Sequence, residues 1–454
     1  MMSIFKAYDI RGIYPDELNE EIAQKIGRAI VLFFKQKKWP LEKIIIGRDA
    51  RISSPKLFQT LIQGLLLENP ILKIINFEQC STPFFYWAIQ KYQADGGIMI
   101  TASHNPPEYN GLKLCRREAI PLGGEEIKNI GKIVSEINFS NNLDVSAEIS
   151  NVKPVEVELE QEYFSFLLNK INLSKIKPLK IIIDCGNGMI GPEMEEIVKK
   201  IPIQTKILYS QPDGTFPHHL ANPLDEKTLI DLKKQIEKEN ADFGVAFDGD
   251  GDRIGLIDEK SQPVRGDFIL SLLAIKYLKK YPNEKIIYEV RSSKIVPEMI
   301  KENNGQAILS RAGHSFIKKK MREEDAILAG ELSGHYFYRE LGFTDNALFT
   351  FLNLLEIFSQ DNKPISQVIQ PFQKYSQSGE INFRVNNKQK ILQQIEEKYF
   401  DGKIIKVDGL TVIYPDWWFN LRPSNTENLL RLNLEANNVI LMKEKVAEIE
   451  KIVE

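Results

Sequence analysis

Short apolar runs of strand length alternate with helix-length patterns over most of the chain, and this alternation restricts the fold to layered α/β architectures. EKIIIGRD (42–49), LKIINF (72–77) and GGIMIT (96–101) read as buried strands; the helix predicted from Asn19 to Trp39 is capped by Asn19 and carries Glu20 and Glu21 in its first turn. The rhythm returns in LKIIIDCGNG (179–188), DFGVAFDGDGDR (242–253), KIIYEV (285–290) and DAILAGELSG (325–334). Three segments are alike: ADGGIMITASHNP from Ala94, ADFGVAFDGDGDR from Ala241 and DAILAGELSG from Asp325 each run from an acidic residue through an apolar strand into a polar loop. They predict related modules presenting one loop apiece. Open α/β sheets bind ligands beyond the carboxyl ends of their strands, so the three loops are expected to converge on one cleft.

A chain of 454 residues is too long for one hydrophobic core, so several domains are expected. No apolar run approaches the ~18 residues of a membrane span. The start, MMSIFKAYDIRG, lacks a secretory pattern, and the three cysteines (Cys80, Cys115, Cys185) have unrelated spacings. A cytoplasmic protein without disulfides or a membrane partner is expected. The net charge of −3, with Lys and Glu interspersed, offers no polybasic face for nucleic acid. The polar segments 138–151, SQDNKP (359–364) and SQSGE (376–380) read as linkers, with a small α+β domain after the last.

DGDGDR places Asp248, Asp250 and Asp252 at alternate positions separated by glycines. Spaced glycines let the carboxylates converge, and two such charges ~4 Å apart repel by about 4 kcal/mol at an effective dielectric near 20. The trio calls for a cation, and hard oxygen ligands with open positions suit Mg²⁺. A calcium EF-hand fails: Glu259 falls at the twelfth loop position, but Arg253 stands where Gly is needed and FGVAF is strand-like. TASHNP offers Ser103 as a nucleophile on a stiffened turn, with His104 beside it. Adjacent residues on an extended backbone point apart, so His104 is not taken as the base for Ser103. Lys113, ten residues on, is placed to return a cation to the same loop. Glu331, Ser333 and His335 of GELSGH suit sugar hydroxyls, and Arg422, Ser424, Asn425 and Thr426 of RPSNTEN suit a phosphate. His218 and His219 lack metal-ligand spacing and point to solvent or an interdomain contact; IIIDCGNGMIG matches no nucleotide fingerprint.

Taken in order, YDIRG, TASHNP, DGDGDR, GELSGH and RPSNTEN resemble the α-D-phosphohexomutase superfamily, in its phosphomannomutase/phosphoglucomutase branch, over essentially the whole chain. The resemblance implies three related α/β domains with mixed sheets (1–150, 151–260, 261–372) and a fourth, TATA-binding-like α+β domain (373–454) around a central cleft. It implies that Ser103 carries the transferable phosphoryl group and, with Asp248, Asp250 and Asp252, ligates one Mg²⁺ per chain. Tyr8 and Arg11 would approach the reacting group, Arg253 follows the metal loop, and His314 of GHSFIKKKM would contact the cleft. Glu331, Ser333 and His335 would read sugar hydroxyls, while Arg422, Ser424, Asn425 and Thr426 would clamp the non-reacting phosphate. Arg11, Lys113 and His335 are the candidates for acid and base.

The implied reaction moves a phosphoryl group between the 1- and 6-positions of a hexose through a 1,6-bisphosphate, with glucose 1,6-bisphosphate as activator and hexose phosphates as the partners. The protein is expected to be a monomer, with self-association left open. Arg291 stands in YEVRSSK where relatives usually carry lysine, which bears on phosphate or sugar preference. The rivals are phosphoglucosamine mutase, whose sugar loop typically has Gln where Leu332 stands, a metal-dependent sugar phosphatase, and a non-catalytic sensor.

Overall fold

A computed structural model describes residues 4–6, 8–138, 158–360, 362–424 and 428–453. Its strands follow the expected alternation. The first sheet is built from β1 (Ile10–Ile13), β2 (Lys43–Arg48), β3 (Lys73–Gln79), β4 (Gly96–Ile100), β5 (Tyr109–Arg116) and the short β6 (Ile120–Pro121), in the order β1-β5-β4-β2-β3 with β6 on β5. β2 runs parallel to β3 and β4, whereas β5 is antiparallel to β4 and to β1. All five residues of β4 are buried, which is why GGIMI carries no polar alternation. The second sheet repeats the plan with β7 (Lys180–Asp184), β8 (Gln204–Leu208), β9 (Phe243–Phe247), β10 (Ile254–Asp258) and β11 (Pro263–Val264): β7, β8 and β9 are parallel, then β10 and β11 return antiparallel.

In the third, β12 (Lys285–Glu289) pairs in parallel with β13 (Gln306–Ser310) and β14 (Leu328–Gly330), while β15 (Tyr336–Tyr338) and β16 (Thr344–Asp345) form an antiparallel pair. The last sheet is wholly antiparallel, β17-β21-β20-β19-β18, from β17 (Ser376–Arg384), β18 (Lys403–Ile405), β19 (Leu410–Ile413), β20 (Trp417–Pro423) and β21 (Leu429–Ala436). Its core takes Ile395 and Ile449 from two helices, Lys388–Lys398 and Val439–Val453. These are the mixed sheets and the α+β tail the sequence called for.

The chain gathers into two compact units, one of residues 1–264 and 333–365, the other of 265–332 and 366–454. Among the described residues no helix is long and apolar enough to cross a membrane.

Three expectations need comment. The first helix is Glu20–Gln36, with the Asn19 side chain accepting from Ile22 N at 3.1 Å as expected; it stops short of Trp39 because Lys38 turns left-handed, φ +57°, and folds the Trp39 ring onto Phe33 and Phe34. SQSGE is not a linker. It is the start of β17, an edge strand whose side chains are mostly half-buried or exposed, so its polar composition imitated a loop, and a register shift between Gln377 and Glu380 accommodates Gly379. Apart from Asn138, the expected first linker lies outside the described residues.

The first helix crosses Ser54–Glu68 at two glycines: a Cβ on Gly27 would collide with Leu61 O, and one on Gly64 with Gln24 O. Backbone cannot yield as a side chain can, so Gly64→Ala is expected to cost about 1–3 kcal/mol, read as a lowered thermal midpoint with the far-UV circular dichroism spectrum at low temperature unchanged.

Candidate active site

The carboxyl ends of β4 and β9 deliver the two loops that matter most, both in the first unit. Ser103 lies three residues beyond β4 with φ +51°, a left-handed conformation that costs a residue with a side chain roughly 1–2 kcal/mol. Its N–H donates to Thr101 Oγ1 at 2.9 Å, fixing the turn, and its hydroxyl donates to Asp248 Oδ2 at 2.6 Å. The positive φ also corrects the expectation that neighbouring side chains diverge. The backbone is not extended here, and His104 Nδ1 lies 3.3 Å from Ser103 Oγ.

Asp248, Asp250 and Asp252 are all buried, with one oxygen of each within 4.8 Å of the others. The loop is knitted by Asp248 Oδ1, which accepts from the backbone N–H groups of Asp252 and Arg253 at 3.1 and 3.0 Å. Lys113, on β5, donates from Nζ to Asp250 Oδ2 at 2.6 Å and to Asp252 Oδ2 at 2.5 Å. Thr82, at the start of the helix Thr82–Lys91, adds Oγ1 to Asp250 Oδ2 at 2.7 Å. Asp250 Oδ1 has no hydrogen-bond partner although it is buried, and hard oxygen left this way suits a divalent cation. The loop is not an EF-hand, because a strand, β9, precedes it where a helix would be needed.

Charge follows from this packing. Burial, together with the facing carboxylates of Asp252 and Asp250, pushes Asp248 up to about 8. Burial works against charge at Lys113 as well, but the three aspartates outweigh it and hold the ammonium protonated far above its ordinary range. Asp252 is likewise buried, yet Lys113 and His335 keep it well below the ordinary carboxylate range. His104 is pushed down to about 2 by burial and by the nearby guanidinium groups of Arg253 and Arg11.

A chain of side chains extends outward from there. Arg253 donates from Nη1 to His104 Nδ1 at 2.9 Å and from Nε to His335 Nε2 at 3.1 Å; Asp252 Oδ1 lies 3.3 Å from that same His335 nitrogen. His335 Nδ1 meets Ser333 Oγ at 2.9 Å. Arg11, on β1, donates to Asn105 Oδ1 of the serine loop at 2.9 Å and pairs with Asp9 at 2.5 Å, and Tyr8 lies half-buried three residues before it. The first unit thus brings together Ser103, His104, Lys113, the three aspartates, Arg253, Ser333, His335 and Arg11.

Other expected residues belong to the second unit. Arg291 is clasped by Glu289, with Nε to Oε2 at 2.9 Å and Nη2 to Oε1 at 2.6 Å, and although burial opposes its charge this carboxylate raises it above its ordinary range. Glu331 Oε1 accepts from Gly313 N at 2.6 Å, beside the start of the helix His314–Glu324. Arg422, near the end of β20, pairs with Glu380 at 2.7 Å, and the Ser424 carbonyl accepts from Lys388 Nζ at 2.8 Å. Asn425 and Thr426 lie outside the described residues. His218, which is exposed, meets Asn187 Oδ1 at 2.8 Å, and the half-buried His219 meets Asp184 Oδ2 at the end of β7 at 3.1 Å.

Sequence reasoning passed over Thr82, Glu289 and Glu380. Thr82 was legible only as part of a helix start, STP with Ser81 as cap, and nothing in that signal points at a distant aspartate.

Models of the phosphoglucomutase/phosphomannomutase family match nearly end to end: alpha/beta/alpha domain I at residues 2–141, domain II at 161–262, domain III at 265–375 and the C-terminal domain at 380–452. A phosphomannomutase of Methanocaldococcus jannaschii is 41% identical over 453 residues, 100% of this chain and 98% of the relative. One from Vibrio cholerae serotype O1 is 36% identical over 463 residues, with 100% and 98% covered. Among solved structures, a phosphoglucomutase/phosphomannomutase family protein from Burkholderia thailandensis superposes with a TM-score of 0.89 at 29% identity, covering 100% of this chain and 97% of that one. The loops that meet at Ser103 are therefore those of a known enzyme fold, and the chain belongs to the phosphoglucomutase/phosphomannomutase family.

Proposed function

We propose that this enzyme interconverts hexose 1-phosphates and 6-phosphates by passing a phosphoryl group from Ser103 to the free hydroxyl of the sugar and taking the other phosphoryl group back. The observation that carries the reading is the 2.6 Å bond between Ser103 Oγ and Asp248 Oδ2, which puts a hydroxyl from the first module onto the carboxylate trio of the second. A hydroxyl held against anions needs cations around it before it can bear a phosphoryl group, and Lys113 and Arg253 stand there. Phosphoryl transfer depends mostly on positioning and on neutralising oxygen charge, and that balance fits a site richer in fixed charge than in proton carriers.

Asp248, Asp250 and Asp252, with the phosphorylated Ser103, would hold one Mg²⁺, which supplies charge neutralisation at the transferring oxygens. Lys113 acts as a fixed cation, because its proton lies between two carboxylates; Arg11 and His335 remain as the acid and base. His104, neutral and already accepting from Arg253, holds that guanidinium in place beside Ser103. Glu331, Ser333 and His335 take the sugar hydroxyls. Arg422, Ser424, Asn425 and Thr426, with Arg291 and His314, take the distal phosphate, a role supported by the number of hydrogen-bond donors they offer. Tyr8 borders the reacting end. Retaining the distal phosphate favours a mutase over a phosphatase, since a hydrolase need not turn its product around.

Glucose 1-phosphate with Mg²⁺ and a trace of glucose 1,6-bisphosphate is expected to give glucose 6-phosphate in a coupled assay, with mannose phosphates also converted; release of inorganic phosphate in its place overturns the assignment. Ser103→Ala should lower kcat by roughly 10⁴-fold or more. Rates compared on glucose, mannose and glucosamine phosphates rank the substrates. Because Asp248 sits near 8 without metal, Mg²⁺ binding should release a proton below that pH and weaken as pH falls, measured by calorimetry in buffers of different ionisation heat. Thr82→Val should weaken Mg²⁺ about 10–100-fold, read in the same titration.

A further inference from the structure

The Ser103 loop stands on a residue that no motif singles out. Arg51 follows β2 by three residues, is only 1% exposed, and makes five hydrogen bonds with its guanidinium. Nη2 donates to Ser103 O at 2.9 Å and to Asn105 O at 2.6 Å; Nη1 donates to Pro106 O at 2.6 Å and to Tyr109 O at 2.9 Å; Nε donates to Asp49 Oδ2 at 3.1 Å. A guanidinium has five N–H groups, and all five are used. Asp49 is fixed in turn by the backbone N–H of Arg51 and by Ser54 Oγ, at 3.1 and 2.8 Å.

Those four carbonyls explain why the fork is needed. Residues 103–109 contain two consecutive prolines, Pro106 and Pro107, which give the loop no N–H at those positions with which to brace itself. Its carbonyls turn inward onto one point, where only a planar cation with diverging donors reaches them all. On its other side Arg51 stacks on Phe216, 5.2 Å from the ring centroid, and a Cβ on Gly214 would overlap Arg51 Cα and Ala50 O. The Ser103 carbonyl also faces the aspartate loop closely: a Cβ on Gly249 would come within 2.6 Å of it. Arg51 therefore grips the same peptide that abuts the carboxylate trio.

We infer that Arg51 is a positioning residue: through four backbone carbonyls it holds the left-handed turn that aims Ser103 Oγ at Asp248, a conclusion that rests on Ser103 being the phosphoryl carrier. All its hydrogen bonds in the serine loop go to main-chain carbonyls, so it acts on geometry. Lysine, with one nitrogen, cannot bridge the four carbonyls, whereas free guanidinium entering the space left by a truncated side chain can.

The test compares Arg51→Lys, Arg51→Ala and Ser103→Ala in the full-length protein with Mg²⁺. For Arg51→Lys, kcat is expected to fall about 100-fold, the effect of a misplaced reacting atom, with KM for glucose 1-phosphate unchanged. The phosphoserine of this variant should also be lost to water faster, followed by ³¹P NMR. Added guanidinium should restore part of the kcat of Arg51→Ala. A purely structural role would lower the thermal midpoint and the active fraction while leaving the phosphoserine lifetime and the rescue untouched, which overturns the inference. So does a wild-type kcat in Arg51→Lys, the variant that decides should Arg51→Ala not fold. Activity retained by Ser103→Ala removes the phosphoryl carrier and the inference with it, whereas an inactive Ser103→Ala beside a wild-type Arg51→Lys removes the inference alone.

Discussion

Three carboxylates packed within 4.8 Å of one another and cut off from water are the constraint around which the first unit is organised. Fully charged, two such groups ~4 Å apart would repel by about 4 kcal/mol at an effective dielectric near 20; the site relieves this by pushing Asp248 up to about 8 and by bringing positive charge and N–H or O–H donors from other elements. Those partners come from separate places in the chain: Lys113 from β5, Thr82 from a helix start, Ser103 from the turn after β4, and two backbone N–H groups from the aspartate loop itself. Electrostatic relief at one point consequently ties the first sheet's module to the second's. The same contacts that quiet the repulsion also place the serine hydroxyl, which makes assembly of the site and docking of the two modules a single event.

The second unit solves a milder version of the problem with the opposite sign. Two of its arginines come already paired, Arg291 with Glu289 and Arg422 with Glu380. An internal carboxylate keeps a guanidinium in one orientation and reduces what must be reorganised when another anion arrives. It also means that any anion approaching either arginine would compete with a carboxylate already in place.

Much of this was legible in the sequence, for identifiable reasons. Buried parallel strands are continuous apolar runs, so β2, β4, β7 and β9 announced themselves, and three aspartates spaced by glycines in DGDGDR favoured converging carboxylates over a solvated turn. What escaped notice lay in two classes. One was polarity at an edge: the first residues of β17 pair on one side only and are half-buried or exposed, so composition alone could not separate them from a loop. The other was side chains working through the backbone. Arg51 in GRDAR is one more charged residue after a strand, and Thr82 one more helix cap, because the carbonyls and the carboxylate they bind lie more than fifty residues away. The positive φ of Ser103 belongs to the same class, since it is imposed by Thr101 and by the carbonyl grip, not by any glycine or asparagine at the position.

That turn also explains the state of the neighbouring histidine. With Ser103 left-handed, His104 is carried inward until its Nδ1 meets a guanidinium proton of Arg253. An imidazolium could not accept that bond and would add a third cation to the two arginines already close by, so the ring stays neutral throughout the range in which enzymes work. Arg253 is the group that benefits. Held by two imidazole nitrogens, one from His104 and one from His335, it lies 3.7 Å from Asp248 without forming the bidentate carboxylate pair that would use up both of its donor edges. In the proposed reaction, a guanidinium restrained in this way would keep a donor edge for oxygen atoms that become more negative during transfer, which one locked onto a carboxylate would not.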